Sequence, residues 1–212
     1  KKTQMTGMRK TIAEHMKGSL AKTAQLSFFT EVDVTEAQRA RKNISKNNNA
    51  NVTLANVLMK ACAETLKDHS DLNTILMNDQ INYFDDIDIG MAVSISNGLV
   101  VPVVRKAHEK SILEISIETQ DLVNKARDGI LLPDALAGGT FTISVLGIVD
   151  GFTPILNSGQ SAIMGIGRSI QKPVVKKGEI VVREVTTVSL TVDHQVIDGA
   201  VAASFLRRFQ QI

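Results

Sequence analysis

The sequence predicts an α/β sandwich, a sheet backed by helices, rather than a strictly alternating parallel fold. Three observations predict it. Apolar residues recur at helical spacing near both ends of the chain and in two interior stretches. Between these lie β-branched runs of strand length, several following one another with no helix between them. A chain of 212 residues that is 43% hydrophobic can bury one substantial core, so a single domain over residues 1–212 is expected.

Thr6 is the expected N-cap of the first helix, whose apolar face is marked by Met8, Ile12, Met16 and Leu20. In LSFFTEVDVT, Leu26, Phe28, Val32 and Val34 share strand parity, and Thr35 is placed to cap the helix EAQRARKNI. NNNAN at 47–51 reads as a surface loop. Thr53 opens the clearest helix, with Leu54, Val57, Leu58, Ala61, Cys62 and Leu66 on one stripe. INYF, DIGMAVSI and GLVVPVV read as strands, and Asn97 with Gly98 predicts a hairpin turn. Ser111 and Glu114 have capping-box spacing, and the helix they open stops at Gly129. GGTFTIS, SAIMGIG, PVVKKGEIVV and EVTTVSLTVD read as strands, with KKGE as a tight turn. The tail returns to helical spacing through Val201, Phe205, Leu206 and Phe209.

Composition removes several function classes. The net charge is +2 from 24 basic and 22 acidic residues, scattered without a basic stripe, which argues against nucleic acid as a partner. No apolar run approaches the roughly 20 residues that span a bilayer, and KKTQMTGMRK lacks the apolar stretch of a signal peptide, so a soluble chain with no membrane partner is expected. The lone Cys62 lies on a helical stripe and reads as a packing thiol. The histidines at 15, 69, 108 and 194 form no HExxH pair and no zinc spacing, so no metal is expected. GIGRSI lacks the third glycine of a dinucleotide fingerprint and precedes a strand, and no GxSxG elbow presents a serine.

One stretch survives, TVDHQVIDGA at 191–200. The alternation of Val188, Leu190 and Val192 with Ser189, Thr191 and Asp193 describes a half-buried strand that delivers His194 near its end. Asp198 precedes Gly199 and the last helix, where it can cap whether or not it does chemistry. Taken alone, a histidine with an aspartate four residues on is more often structural than catalytic.

DHQVIDGA resembles the DHRxxDG signature of the dihydrolipoamide acyltransferase components of 2-oxo acid dehydrogenase complexes, whose HxxxDG core is shared with chloramphenicol acetyltransferase. GMRKTIAEHM, FTEVDVT, IGMAVSISNGLVVPVVRKA, GGTFTISVLG and FTPILN resemble successive segments of the same catalytic domain and together cover nearly the whole chain. The resemblance implies a chloramphenicol acetyltransferase-like two-layer sandwich with a mixed sheet, assembling as trimers that build 24-mer or 60-mer cores. It implies acyl transfer between a dihydrolipoyl thiol and coenzyme A in a tunnel between subunits, with acetyl as the expected group. A branched-chain or other small acyl group is the alternative, and a non-catalytic scaffold core is the reading of a different class.

By that resemblance His194 is the general base toward the coenzyme A thiol, since a thiolate is the nucleophile and imidazole titrates near neutrality. Ser144 of TIS, from the facing subunit, would donate to the oxyanion. Asp198 would sit beside the histidine, with structural support as its larger part. Arg9 would meet a phosphate of coenzyme A, and Phe152 would line the thiol tunnel; their plain alternatives are a solvated helix charge and a core aromatic. The lipoyl group would ride on a separate domain, because no DKA-type attachment motif or Pro/Ala-rich linker is present. Decarboxylase and dihydrolipoamide dehydrogenase components are the implied partners, in the cytoplasm or, for a eukaryote, the mitochondrial matrix. Two departures stand out: Gln195 replaces the usual arginine and Val145 the usual asparagine, so the ion pair or hydrogen bond each would make is expected to be lost. The stretch between TISVLG and FTPI is also shorter than usual, which bears on the acyl pocket.

Overall fold

The computed structural model describes residues 2–5, 7–96 and 98–212, so the expected cap Thr6 and the turn residue Asn97 lie outside the described residues. In chain order the elements are α1 (Gly7–Lys22), β1 (Gln25–Asp33), α2 (Thr35–Asn48), α3 (Leu54–Lys67), β2 (Thr74–Met77), β3 (Gln80–Tyr83), β4 (Ile89–Met91) and β5 (Val93–Ile95). There follow β6 (Gly98–Val100), β7 (Val103–Val104), α4 (Ile112–Asp128), β8 (Phe141–Val145), β9 (Ala162–Lys176), β10 (Glu179–Asp193) and α5 (Gly199–Phe209). Six strands form one mixed sheet in the order β1-β10-β9-β8-β4-β7, in which β8 runs parallel to β4 and β9 and the other pairs are antiparallel. The pairs β2–β3 and β5–β6 are separate small hairpins.

The strand period of two gives the sheet different faces. Ile143, Met164, Ile166, Val188, Leu190 and Val192 point to one side, where they pack with Cys62 and Leu66 of α3 and Phe205 and Phe209 of α5. Phe29, Ser144, Gly165 and Ser189 stand in register on the other side. That second face is crossed by residues 150–160, a strap fastened where Ser19 donates to the Leu156 carbonyl (2.7 Å) and Ser189 to the Phe152 carbonyl (2.6 Å). The result is the predicted α/β sandwich of a mixed sheet with packed helices. No helix among the described residues is long and apolar enough to cross a membrane. Burial pushes the Cys62 thiol pKa up, in keeping with a packing role.

Local signals were accurate where they were self-contained. Ser111 and Glu114 form a reciprocal capping box, Gly129 ends α4 at φ 71°, and Lys177 and Gly178 turn the β9–β10 hairpin with φ 54° and 85°. The expected hairpin at residues 97–98 is present as antiparallel pairing of Ile95 with Gly98. Other expectations need correction. GGTFTIS holds β8 as expected, but the other three strand segments of the second half form two strands of 15 residues each, and β9 runs through both GIGRSI and Pro173, where it has no β8 neighbour and a missing N–H costs no ladder bond. Thr35 is not a cap but the first residue of α2; its hydroxyl donates to Asp33 and accepts the Glu184 N–H. The asparagine run partly continues α2, and Asn49 closes it at φ 47°, a left-handed conformation asparagine tolerates. On α1 the residue fully buried is Ser19, while Met8 and Leu20 are half exposed, because helical spacing identifies a stripe without saying what covers it. Strand β2 gave no clear sequence signal and exists by pairing with β3.

The end of β1 is tied to β10 by charge. Asp33 meets Arg183 at 2.7 Å, Lys176 at 3.6 Å and the Thr35 hydroxyl at 2.7 Å. Partial burial would raise its pKa, but the hydrogen bonds from Thr35 and Arg183 outweigh it and lower the value to about 2. A carboxylate with a depressed folded-state pKa stabilises the fold above its ordinary pKa, and the contribution is lost as pH falls toward the depressed one. Asp33→Asn should therefore cost about 1 kcal/mol at neutral pH, solvent screening allowed for, and nothing near pH 2. Urea melts of both proteins across that range test this; a pH-independent gap would show that Asp33 acts by something other than charge.

Candidate active site

His194 stands in the turn just past β10. Its main-chain N–H donates to the Ala24 carbonyl at 2.8 Å, while its side chain is 44% exposed. Beneath it lies Asp193, only 1% exposed. Its Oδ1 accepts the N–H groups of Ala24 (3.0 Å) and Gln195 (3.1 Å), and the Gln195 amide donates to both carboxylate oxygens at 3.1 Å and to the Lys22 carbonyl at 2.8 Å. Gln195 thus makes hydrogen bonds to Asp193 that were expected to vanish with the arginine. Asp193 itself was missed; an acidic residue on the polar parity of a buried strand, next to the histidine, was its available signal.

Asp198 sits at the N-cap of α5, but its carboxylate makes no capping bond, so that expected role is not realised. It is 86% exposed and its Oδ1 lies 3.9 Å from His194 Nδ1, an electrostatic contact beyond hydrogen-bond length. The other histidines are differently occupied: His69 bonds Thr65 and Ser204 and stacks edge-on to Phe205. Among the described residues, Asp86, His108 and Glu109 bring donor atoms within 4.8 Å of one another, but the Lys106 ammonium holds Asp86 at 3.2 Å.

Ser144 is half-buried on β8, and among the described residues its hydroxyl makes no hydrogen bond within the chain. Its register partner on β9 is Gly165, whose own partner on β10 is Ser189. Phe152, half-buried in the strap, lies over this point: a Cβ on Gly165 would run into Ser189 Oγ and come within 3.1 Å of the Phe152 ring. Gly165 thus stands in register with Ser144 on one side and lies under Phe152, a role that the discarded dinucleotide motif GIGRSI did not suggest. The loop after Ser144 is pinned to β9 by bonds from the Leu146 N–H to the Ile166 carbonyl (2.9 Å) and from the Arg168 N–H to the Val149 carbonyl (2.7 Å).

Register separates this group from the histidine. Ser144 stands level with Ser189, five residues before His194, an offset of roughly 16 Å along the strand plus two strand spacings across it. Arg9, exposed near the start of α1, is about 20 Å along the helix from Lys22. A cleft of about 330 Å³ lies between Lys22, Thr23, Met77 and Asn78 with Asp193 in its wall, and one of about 140 Å³ lies beside Asp150, Arg168 and Thr187; neither lining includes both Ser144 and His194.

The sheet-and-helix arrangement has the fold of chloramphenicol acetyltransferase, which superposes with a TM-score of 0.57 at 15% identity over 93% of this chain and 92% of that one. The family model for the 2-oxoacid dehydrogenases acyltransferase catalytic domain matches residues 1–212, and the chain belongs to that family. It is 39% identical over 209 residues, 96% of this chain, to the dihydrolipoyllysine-residue acetyltransferase component of the acetoin cleaving system of Bacillus subtilis, 52% of which is covered. It is 38% identical, over 100% of this chain and 47% of the relative, to the mitochondrial succinyltransferase component of the Saccharomyces cerevisiae 2-oxoglutarate dehydrogenase complex. The chain thus spans about half the length of these curated relatives. Two solved structures share 34% identity and a TM-score of 0.93, over 100% of this chain and 90% of each. One is the cubic core of a pyruvate dehydrogenase multienzyme complex. The other addresses a serine, a histidine and an asparagine in the catalytic mechanism of Azotobacter vinelandii dihydrolipoamide acetyltransferase, the last two four residues apart.

Gly165→Ala should lower stability by about 1–3 kcal/mol, because the added methyl must displace Ser189 or Phe152 in a packed layer. A chemical-denaturation curve measures it, and an unchanged midpoint would mean the strap yields without cost.

Proposed function

We propose that this chain is the catalytic core of a dihydrolipoamide acyltransferase, moving an acyl group between a dihydrolipoyl thiol and coenzyme A. The observation that carries the reading is His194 itself: its backbone is fixed by the strand end and its imidazole is left free toward solvent with a carboxylate at 3.9 Å. An imidazole so held can take the proton of the coenzyme A thiol. The thiolate attacks the thioester carbon, the oxyanion collapses, and the departing dihydrolipoyl thiolate recovers the proton from the imidazolium. Asp198 steadies the imidazolium electrostatically, and Ser144 donates to the oxyanion. The spacing of Asp198 from His194 matches the histidine-to-asparagine spacing addressed in the Azotobacter enzyme, which supports a shared role with a carboxylate in place of an amide. Acetyl is the acyl group favoured by the Bacillus relative, and succinyl and branched-chain groups are the competitors an assay with several acyl-coenzyme A compounds separates.

The roughly 16 Å offset between Ser144 and His194 implies a site completed by a second copy, with Ser144 of one protomer facing His194 of its neighbour. Exposed apolar side chains support association: Phe29 is 54% and Ile148 86% exposed. A homotrimer is the assembly proposed, built into a 24-mer or 60-mer core, with a lipoyl group delivered by a separate domain. Decarboxylase and dihydrolipoamide dehydrogenase components complete the complex, in the cytoplasm or the mitochondrial matrix. Arg9 is proposed for a coenzyme A phosphate and Phe152 for the thiol passage beside Ser144.

His194→Ala should lose roughly 10²- to 10⁴-fold in turnover with folding preserved. Mixing His194→Ala with Ser144→Ala subunits should recover part of the activity by forming sites with both native residues; verified mixed trimers without recovery would rule out a shared site. Ser144→Ala alone should lower turnover roughly 10²- to 10³-fold while both Michaelis constants and the melting temperature barely move, because the bond strengthens only in the transition state. Near-normal turnover with a large fall in melting temperature would instead assign Ser144 to packing.

A further inference from the structure

The turn that carries His194 is closed on itself by a ring of hydrogen bonds. The Ala24 peptide is gripped from both sides: its N–H donates to the Asp193 carboxylate at 3.0 Å, and its carbonyl accepts the His194 N–H at 2.8 Å. The Asp193 carbonyl meanwhile accepts the N–H groups of Val196 and Ile197, both at 2.9 Å. Asp193 is buried, and among the described residues every hydrogen bond to its carboxylate comes from a neutral N–H, three from Gln195 and one from Ala24. A buried carboxylate stays in place when such donors surround it, and loses its anchor when they are removed.

Gln195 does more than satisfy the carboxylate. Its side chain is on the surface side of the turn, and the same amide nitrogen that meets Asp193 reaches the Lys22 carbonyl at 2.8 Å. Lys22 is the last residue of α1, where helix carbonyls have no partner from the helix itself. The amide therefore joins three things: the end of α1, the buried carboxylate and the residue next to the histidine.

We propose that Gln195 is a positioning residue for His194, acting through Asp193 and Ala24 to hold the imidazole at the angle the thiol requires. The proposal rests on the acyl-transfer reading above. A side chain that touches neither substrate can still set the rate, because a displacement of about 1 Å in a catalytic group costs up to 10²-fold. Gln195 takes no part in the proton transfer, so its removal should affect turnover and not substrate binding.

The test uses the assembled wild-type protein and three variants, assayed for acyl transfer from acetyl-coenzyme A to dihydrolipoamide. Gln195→Met keeps the length of the side chain and removes its donors. Turnover per assembled protein should fall roughly 10- to 10²-fold with both Michaelis constants changed by less than about twofold. Gln195→Arg returns donors for both the carboxylate and the carbonyl and should recover most of the rate. His194→Ala separates the two ideas. If it retains full activity, the proposed function fails and the positioning role with it. If His194→Ala is inactive while Gln195→Met turns over normally, the function stands and the positioning role is wrong. A Gln195→Met protein whose loss of rate follows only its loss of assembly, or a Gln195→Arg protein no better than Gln195→Met, would also overturn it.

Discussion

The register of β10 between β1 and β9 is the constraint on which the rest of the molecule depends. Strand side chains alternate, so a slip of one residue would turn Val188, Leu190 and Val192 away from the helices and bury Ser189 and Thr191 among them. Each apolar side chain so displaced would leave its packing against the helices, and Ser189 and Thr191 would lose the hydrogen bonds they make on the other face at about 1–3 kcal/mol per stranded polar group, which fixes the register against the alternative. The same alternation aligns Ser144, Gly165 and Ser189 on the opposite face and ends the strand on a buried aspartate with the histidine next in line. Packing on one face thus determines where chemistry can stand on the other.

That opposite face is polar yet covered, and its side chains are accounted for. Thr142 donates to Gln160, Gln160 to the Gly139 carbonyl, and Ser27 and Thr191 share a bond at 2.7 Å. No buried side-chain nitrogen or oxygen among the described residues lacks a partner. A layer satisfied in this way is rigid, because any movement of the strap would strand polar atoms without water. Ser144 lies at the margin of the layer, on a fixed strand with its hydroxyl uncommitted, which is the condition for a preorganised donor.

Features encoded in a few adjacent residues were legible in the sequence, as the Ser111–Glu114 box, Gly129 and the KKGE turn illustrate. Features that depend on distant pairing were not. The glycines of GIGRSI and Pro173 look like interruptions locally, yet they lie within one strand because β10 pairs on both sides of the register shift at Gly167. The exposed stripe of α1 shows the same limit, since periodicity does not name the covering surface. At the site, His194, Ser144 and Asp198 came from motif resemblance. The knot beneath the histidine joins Ala24 to Asp193 across 169 positions of sequence, and no local pattern announces such a contact.

The exposure of His194 follows from the same geometry. A general base works best with water excluded, since a low-dielectric surrounding strengthens the interaction with developing charge. On the proposed reading a single chain cannot provide that surrounding, because Ser144, the proposed oxyanion donor, is held about five residues away along the ladder. That reading leaves each chain with half of a site, open on the side where its complement would arrive. Under the proposed trimer, assembly would do two jobs at once, supplying the Ser144 hydroxyl and closing His194 from solvent.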